Sequence, residues 1–350
     1  TRPQAAAHRR AAPRHGDLAS GVGNSQVGCV WLQLSARHKC WFAAPRPDDA
    51  QLGERQQSRH ADPTRILRND HSSSEERRKR VARRYEKAIV DHIPMIERQT
   101  MELNDKTFIV TGASSGIGAA AALLLAAKGA NVVLGARRQA ELDQLVGQIT
   151  QSNGKAVCLS GDVRDEMYAQ ALVNCAKDAF GGLDGAFNNA GTTGEMGPVP
   201  DMQSDNWHNV INVNLSSGFY AAKYQIPLLR ETGGGSIVFT SSFVGHTVGF
   251  PGMAAYAAAK AGLIGMTQVL AAEHGPENIR VNALLPGGTM TAMAGDDPGF
   301  LEVVRGLHAL KRMAEPSEIA QVALFLLSES ASFVTGSAIV ADGGNSINKF

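Results

Sequence analysis

Tyr256 and Lys260, four residues apart, are the side chains of this 350-residue sequence best suited to chemistry. Because an α-helix has 3.6 residues per turn, this spacing places both side chains on one helical face. A phenol has a pKa of about 10, and a neighbouring ammonium group favours the phenolate and lowers that pKa. The pair therefore predicts an acid/base for carbonyl chemistry, and the alternative is an ordinary half-exposed helical face.

A β-α-β unit lies upstream of this pair. It consists of an apolar strand over 108–110, a turn with Gly112, Gly116 and Gly118, an alanine-rich helix, and a second strand over 131–134. Glycines let the backbone approach a pyrophosphate, and the helix that follows presents free N–H groups and its positive dipole end. The unit therefore predicts a pyrophosphate site, whereas three glycines alone would also suit a tight turn.

Three motifs occur in order along the chain. They are Thr111-Gly112-Ala113-Ser114-Ser115-Gly116-Ile117-Gly118, Asn188-Asn189-Ala190-Gly191 and Tyr256-x-x-x-Lys260. Together they resemble the classical short-chain dehydrogenases/reductases, and the resemblance covers 103–347. Further family-like segments are Gly161-Asp162-Val163, Ile211-Asn212-Val213-Asn214, Thr240-Ser241-Ser242-Phe243-Val244-Gly245, Pro286-Gly287-Gly288-Thr289 and Asp342-Gly343-Gly344.

Apolar segments alternate with helical stretches from residue 108 onward. The segments span 108–110, 131–134, 156–159, 185–187, 236–240, 279–283 and 338–340. This alternation predicts an α/β fold with a parallel sheet covered on both faces and with ligands at the carboxyl ends of the strands. The resemblance implies a Rossmann-like, doubly wound sheet of seven strands in the order 3-2-1-4-5-6-7, flanked by helices and formed by a single domain over 101–350.

The first 100 residues differ in composition from the rest. They carry 19 Lys and Arg against 11 Asp and Glu, whereas the other 250 residues carry 15 against 22. Because long apolar runs are missing, we expect a poorly structured N-terminal arm over 1–100, with one helix over 74–93 behind a serine N-cap region. Because the sequence begins with Thr1 and Met101 stands just before the family-like segments, we expect that 1–100 is a non-native extension upstream of the native protein.

Composition also weighs against other functional classes. The basic run over 77–84 indicates a solvated face rather than nucleic-acid binding or import, because Glu75, Glu76 and Glu86 interleave with its basic residues. No stretch reaches 18 apolar residues free of charge, so we expect no membrane span. The four cysteines lack metal-ligand spacing, which predicts no metal site and agrees with a reducing, cytoplasmic location.

The resemblance implies a nicotinamide cofactor. In this sequence the family's cofactor-binding positions correspond to Gly112, Ser114, Ser115, Gly116, Ile117, Gly118, Arg137, Asp162, Val163, Asn189, Ala190, Gly191, Tyr256, Lys260, Pro286, Gly287, Thr289 and Thr291. Among them Asp162 resembles the adenine contact, and the two threonines are the candidates for holding the carboxamide.

Arg137, at the end of the second strand, bears on the choice of cofactor. An acidic residue there would accept hydrogen bonds from a ribose diol, whereas arginine pairs with a 2′-phosphate. We therefore expect NADP(H) to be favoured over NAD(H). Because Ser115 stands where the family usually has a further basic residue, the preference is expected to be incomplete. The alternative is that Arg137 and Arg138 merely start a helix in solvent.

The resemblance also implies catalytic roles. Tyr256 would donate the proton, Ser242 would hydrogen-bond the substrate carbonyl, and Asn214 would bind a water through which protons reach Lys260. Lys260 would also bind the nicotinamide ribose. Ser242 lies 14 residues before Tyr256, one more than the family's usual spacing, so Ser241 stays open as an alternative.

The expected function is that of an oxidoreductase interconverting a ketone and a secondary alcohol, with NADP(H) preferred. Two alternatives stay open. One is a 3-oxoacyl thioester reductase, and the other is a non-catalytic NADP(H)-binding sensor, which would be expected to lose Tyr256 or Lys260. The family likeness implies a homotetramer.

Residues 289–310 carry the information that the sequence gives about the substrate. Apolar side chains over 289–310 predict a mostly uncharged small molecule, and the alternative is that they form ordinary helix core. His246 is a candidate substrate contact. Asp296, Asp297 and His308 are expected to contact solvent.

Overall fold

The structure, a computed structural model, describes residues 79–84 and 103–348. Its domain contains a parallel seven-stranded sheet in the order β3-β2-β1-β4-β5-β6-β7, which confirms the predicted fold and strand order. The strands are β1 Thr107–Thr111, β2 Asn131–Ala136, β3 Lys155–Ser160, β4 Gly185–Asn188, β5 Gly235–Thr240, β6 Ile279–Pro286 and β7 Ala338–Ala341.

Helices cover both faces of this sheet. Within 103–348 they are α1 Gly116–Ala127, α2 Gln139–Gln151, α3 Glu166–Phe180, α4 Ser204–Ile211, α5 Ser217–Glu231, α6 Ala254–His274, α7 Pro298–Leu307 and α8 Pro316–Leu327. Consecutive strand residues point to opposite faces. Val110 therefore belongs to the core formed with α1, α2 and α8, and Ile109 belongs to the core formed with α3, α5 and α6. Burial on both faces explains why the inner strands of the sheet are mostly apolar.

The sheet order reverses at β1, which pairs with β2 on one side and with β4 on the other. The connections after β1 and β4 therefore leave the sheet toward opposite faces, and a crevice opens between them at the carboxyl ends of the strands. The glycine turn follows β1, and residues 189–191 follow β4. The fold thus brings two of the three sequence motifs to the place where such sheets bind ligands.

Of the predicted arm over 1–100, the structure describes only 79–84. These residues are helical with exposed side chains, and they fall inside the predicted helix over 74–93. The rest of that helix lies outside the described residues, as do Cys29 and Cys40. In the described part of the chain, no helix is long and apolar enough to cross a membrane.

Candidate active site

The glycine turn between β1 and α1 forms a cradle of backbone atoms. Gly112 and Gly116 have φ angles of 68° and 57°, which residues with a Cβ rarely adopt. A Cβ on Gly118 would collide with the carbonyl oxygen of Gly112, and a Cβ on Gly116 would lie 3.0 Å from Cγ2 of Thr291. Because α1 begins at Gly116, its free N–H groups open into the same space. The cradle therefore fits the pyrophosphate of a dinucleotide.

Thr111, the last residue of β1, joins the glycine turn to the loop after β4. Its Oγ1 accepts hydrogen bonds from the backbone N–H groups of Asn189 and Ala190, at 3.0 and 3.2 Å. The Asn189 side chain donates to the Thr111 carbonyl at 3.2 Å and accepts from Thr240 Oγ1 at 3.2 Å. Hydrogen bonds thus connect the ends of β1, β4 and β5 at the crevice.

Arg138 reaches the glycine turn. Its Nη2 donates to Ser114 Oγ at 2.9 Å and to Ser115 Oγ at 3.0 Å, and its Nη1 forms an ion pair with Glu141 at 3.1 Å. Arg137, the residue predicted to select the cofactor, follows β2 directly and is exposed, as is Arg138. The two arginines differ in their partners, because Arg138 is the one that contacts the predicted cofactor-binding serines.

Asp162, the expected adenine contact, is held by a neighbouring arginine. Arg164 donates from Nη2 to Oδ2 of Asp162 at 2.6 Å and from Nε to both carboxylate oxygens at 3.1 and 3.0 Å. These bonds outweigh burial, and with a smaller contribution from the charge of Arg137 they lower the pKa of Asp162. Arg164 also donates to Asn209 of α4 at 3.1 Å, which links the loop after β3, with Val163, to α4.

Tyr256 and Lys260 lie in the first two turns of α6, on one face, as the spacing predicts. Nζ of Lys260 is 5.6 Å from the centre of the Tyr256 ring and donates a hydrogen bond to the carbonyl of Thr240 at 2.6 Å. Lys260 is only 3% exposed, and Tyr256 is partly buried. The amine is therefore held between α6 and the end of β5, away from bulk water.

The ionisation of this pair differs from the expectation. Burial raises the pKa of the Tyr256 phenol above its usual value, and a hydrogen bond with Ser242 offsets only part of that rise. Burial also lowers the pKa of Lys260 to about 7, because desolvation penalises the ammonium form. The expected lowering of the Tyr256 pKa by Lys260 is therefore wrong for these side chains by themselves. Burial favours the neutral form of both.

The two serines after β5 have different partners. Ser241 is buried, and its Oγ donates to the backbone carbonyl of Lys260 at 2.7 Å. Ser242 Oγ accepts from the backbone N–H of Val244 at 3.1 Å, and the Ser242 hydroxyl lies near enough to the Tyr256 phenol to lower the pKa of that phenol. The structure thus brings Ser242 to the tyrosine, whereas Ser241 supports the helix that carries Lys260.

Asn214 lies in a π-helical turn, Asn212–Ser216, between α4 and α5. Its side chain exchanges two hydrogen bonds with the backbone of Thr192, donating to the carbonyl at 2.8 Å and accepting from the N–H at 3.2 Å. A Cβ on Gly191 would lie 2.9 Å from Oδ1 of Asn214 and 3.4 Å from Nζ of Lys260. Because Gly191 has no side chain, the Asn214 amide and the Lys260 amine can both lie close to it.

The loop after β6 begins at Gly287, directly behind Pro286, and carries the candidate carboxamide contacts Thr289 and Thr291. His308, at the end of α7, packs directly against this loop, and its Nε2 accepts a hydrogen bond from the Gly288 N–H at 3.0 Å. His308 is 1% exposed, so the expected solvent contact is wrong. The sequence analysis missed this role because a lone histidine outside the family-like segments carries no spacing signal.

Asp296 and Asp297 are exposed, as expected. Asp297 caps α7 by accepting from the N–H of Phe300 at 2.6 Å. His246 is exposed on the loop after β5. In residues 79–84 and 103–348, no three His, Cys, Asp or Glu side chains are grouped as metal ligands.

Known proteins resemble this chain in both sequence and structure. Residues 112–346 match a family model described as Enoyl-(Acyl carrier protein) reductase. A 2,5-dichloro-2,5-cyclohexadiene-1,4-diol dehydrogenase of Sphingobium indicum is 42% identical over 250 residues, 69% of this chain and 98% of the relative. A cyclohexanol dehydrogenase of Acinetobacter sp. is 39% identical over 242 residues, 69% of this chain and 95% of the relative. The crystal structure of levodione reductase matches with a TM-score of 0.67 at 33% identity, over 69% of this chain and 98% of that chain.

These matches and the site geometry define a nicotinamide-dependent oxidoreductase. The chain belongs to the short-chain dehydrogenase/reductase family. The expected reaction, interconversion of a ketone and a secondary alcohol, is confirmed at the level of this class.

Proposed function

We propose that the enzyme reduces a ketone on a compact, mostly apolar ring with NADPH, and that Tyr256 supplies the proton. The observation that carries the chemistry is the contact of Tyr256 with Ser242 beside the buried amine of Lys260. A non-catalytic sensor would not need these three side chains in one place. Their arrangement therefore favours turnover.

The protein's own groups account for the proton transfer. When bound, the nicotinamide supplies a hydride to the substrate's carbonyl carbon. Ser242 orients the carbonyl oxygen, and the Tyr256 O–H donates its proton to that oxygen as negative charge develops there. Because burial raises the pKa of Tyr256, the phenol keeps its proton at neutral pH, as reduction requires. Lys260, with a pKa of about 7, is suited to return a proton to the phenolate afterwards.

The proposed preference for NADPH rests on the end of β2. Ala136 offers no carboxylate to a ribose diol, and Arg137 and Arg138 follow it. Arg138 already lies within 3.0 Å of the hydroxyls of Ser114 and Ser115, so a 2′-phosphate at this point would meet guanidinium groups and hydroxyl donors together. The competing ion pair of Arg138 with Glu141 is exposed and therefore weak.

Substitution of each arginine tests this preference. Arg137→Asp and Arg138→Asp should each lower the ratio of kcat/KM for NADPH to that for NADH by about 10- to 100-fold, because a charge-assisted contact contributes about 1.5–3 kcal/mol. Arg230→Ala, at an exposed arginine near the end of α5, serves as the control. Ratios that stay within about threefold of wild type for both aspartate variants would show that neither arginine selects the cofactor.

The proposed substrate class draws on the named relatives. Two of them are named for six-membered carbocycles that bear hydroxyl groups, cyclohexanol and a cyclohexadiene diol. Exposed apolar side chains in and around α7 suit such a substrate, and they are Met290, Met293, Phe300, Val303, Leu307 and Leu310. A compact ring presents apolar surface and one polar oxygen, which matches a mostly apolar pocket with a few polar groups.

A 3-oxoacyl thioester is the second candidate substrate. The 3-oxoacyl-[acyl-carrier-protein] reductase FabG of Thermotoga maritima is 40% identical over 245 residues, 70% of this chain and 99% of that protein. Turnover of NADPH with cyclohexanone, hexan-2-one and a 3-oxoacyl N-acetylcysteamine thioester separates the candidates. We expect kcat/KM for cyclohexanone to exceed that for the open-chain ketone by about tenfold or more. A higher value for the thioester would establish the alternative.

A further inference from the structure

His308 is a buried histidine whose two ring nitrogens both have backbone partners. Nδ1 lies 2.7 Å from the carbonyl oxygen of Val304, and the backbone N–H of Gly288 lies 3.0 Å from Nε2. A carbonyl oxygen can only accept, so Nδ1 carries a proton. A backbone N–H can only donate, so Nε2 carries none. The two partners together require the neutral ring with its proton on Nδ1.

Gly288 belongs to the loop after β6, which four hydrogen bonds tie to neighbouring segments. Gly287 N–H donates to the carbonyl of Ala341 at 3.0 Å, and Ala314 N–H donates to the carbonyl of Gly288 at 2.9 Å. Met290 N–H donates to the carbonyl of Ala314 at 2.9 Å. The fourth bond runs from the Gly288 N–H to His308, and among these four it is the one that a side chain supplies.

The position of this loop determines the width of the cofactor site. Its far end, at Thr291, packs against the glycine turn, since a Cβ on Gly116 would lie 3.0 Å from the Thr291 methyl group. A Cβ on Gly288 would lie 2.6 Å from Cγ1 of Val304 and 2.8 Å from Cε1 of His308, so α7 supports the loop directly. Movement at Gly288 therefore changes the space between Thr291 and the glycine turn.

We propose that His308 is a positioning residue for the nicotinamide cofactor. The unprotonated Nε2 of its neutral ring holds Gly288, and through Gly288 it keeps the loop over 286–291 in the position that binds the cofactor. A side chain at position 308 that offers no acceptor to the Gly288 N–H releases this contact and weakens cofactor binding. This inference rests on the proposed function, because it takes 286–291 to be a cofactor-binding loop.

Charged groups from several elements surround the ring. The Asp342 carboxylate, at the end of β7, lies close enough to His308 for their charges to interact. His308 lines a cavity of about 170 Å³ together with Arg312 and Glu318. These two residues pair with each other at 2.6 and 2.7 Å. Other charged side chains near the ring along the chain are Glu302 and Arg305, which pair at 3.1 Å, and Lys311, which donates to the carbonyl of Gly306.

Two amide variants of His308 distinguish the role of Nε2 from that of Nδ1. In His308→Gln the side-chain oxygen reaches the position of Nε2 and accepts from Gly288 without titrating. In His308→Asn the shorter amide reaches only the position of Nδ1 and leaves Gly288 without an acceptor. At pH 8 we expect the NADPH Kd, measured by fluorescence titration, to stay within about twofold of wild type for His308→Gln. For His308→Asn it should rise about 5- to 10-fold, the effect of one lost hydrogen bond.

Rescue by the glutamine variant is the decisive readout. Both variants remove the imidazole, and only His308→Gln keeps an acceptor for the Gly288 N–H, so a difference in Kd between them reports that acceptor. Wild-type affinity in His308→Asn, or an equal loss of affinity in both variants, would overturn the inference. If His308→Asn does not fold, a loss of more than about fivefold in His308→Gln would overturn it.

A measurement on the free protein needs no cofactor. NMR of ¹⁵N-histidine-labelled protein, with His308 assigned through His308→Gln, should show the tautomer with its proton on Nδ1. Amide exchange at Gly288 should be faster in His308→Asn than in His308→Gln. A proton on Nε2, or equal exchange, contradicts the inference. Failure of the wild type to bind NADPH or NADH would instead overturn the proposed function, so the two failures are distinguishable.

Discussion

The two halves of the candidate active site differ in the chemical groups that form them. The half around the glycine turn consists of backbone and glycines, and at Gly112 and Gly118 its shape depends on φ angles and on the absence of a Cβ. The half around α6 consists of ionisable side chains, and the pKa values of Tyr256 and Lys260 depend on burial. The half around the glycine turn is shaped to bind the cofactor, and the half around α6 controls the proton that passes to the substrate. Added volume should therefore harm binding in the first half, whereas a lost proton donor should harm turnover in the second.

Tyr256→Phe should have the largest effect. Without a proton donor, the negative charge on the substrate oxygen develops unneutralised, so single-turnover hydride transfer should fall about 10²- to 10⁴-fold. Cofactor affinity, measured by fluorescence, should stay nearly unchanged because the variant retains the ring. Turnover close to wild type would show that Tyr256 is not the acid.

Ser242→Ala and Ser241→Ala compare two neighbours in the same half. Loss of Ser242 removes a donor to the developing oxyanion and should lower kcat about 10²- to 10³-fold. Loss of Ser241 removes its bond to the Lys260 carbonyl and should lower the free energy of unfolding by about 1 kcal/mol, with kcat within about threefold of wild type. Urea unfolding and steady-state kinetics on both variants test this, and the reverse pattern would exchange their roles.

Gly118→Ala addresses the cofactor half. The new methyl group meets the carbonyl oxygen of Gly112, so the turn must shift, and we expect about a tenfold loss of cofactor affinity with a destabilisation of about 1–3 kcal/mol. Gly147→Ala is the matched control, since it lies in α2 with nothing within 4 Å of its added Cβ. The control should be slightly more stable than wild type because alanine is the better helix former. Equal affinities would refute the close fit of the cradle.

Lys260→Met tests the protonation of the buried amine through the free energy of unfolding. The folded protein lowers the pKa of Lys260 from 10.5 to about 7, so between these values the unfolded chain binds more protons and wild-type stability rises with pH. The variant removes this cost. Its stability advantage over wild type should be largest below pH 7 and should shrink as pH rises, by up to about 1.4 kcal/mol per pH unit. An advantage that is constant from pH 6 to pH 9.5 would mean that Lys260 stays charged.

Much of the architecture was predictable because it depends on local patterns. All seven strands were predicted, since each contains a short apolar run, and the five inner strands are largely buried. The positive φ angles at Gly112 and Gly116 explain why glycines mark the turn. The placement of Tyr256 and Lys260 on one face followed from helical geometry alone.

The sequence by itself determined the fold, the family and the identity of the motif residues, because these depend on periodicity, on glycine's backbone freedom and on spacing within one element. The tertiary structure decided what happens between elements. It brought Arg138 to the glycine turn, directed Ser242 toward Tyr256 and buried His308. It also reversed the expected shift of the Tyr256 pKa. Each of these outcomes depends on how separate segments pack and exclude water, and the free energy of a buried charge or hydrogen bond is set by neighbours that are distant in sequence.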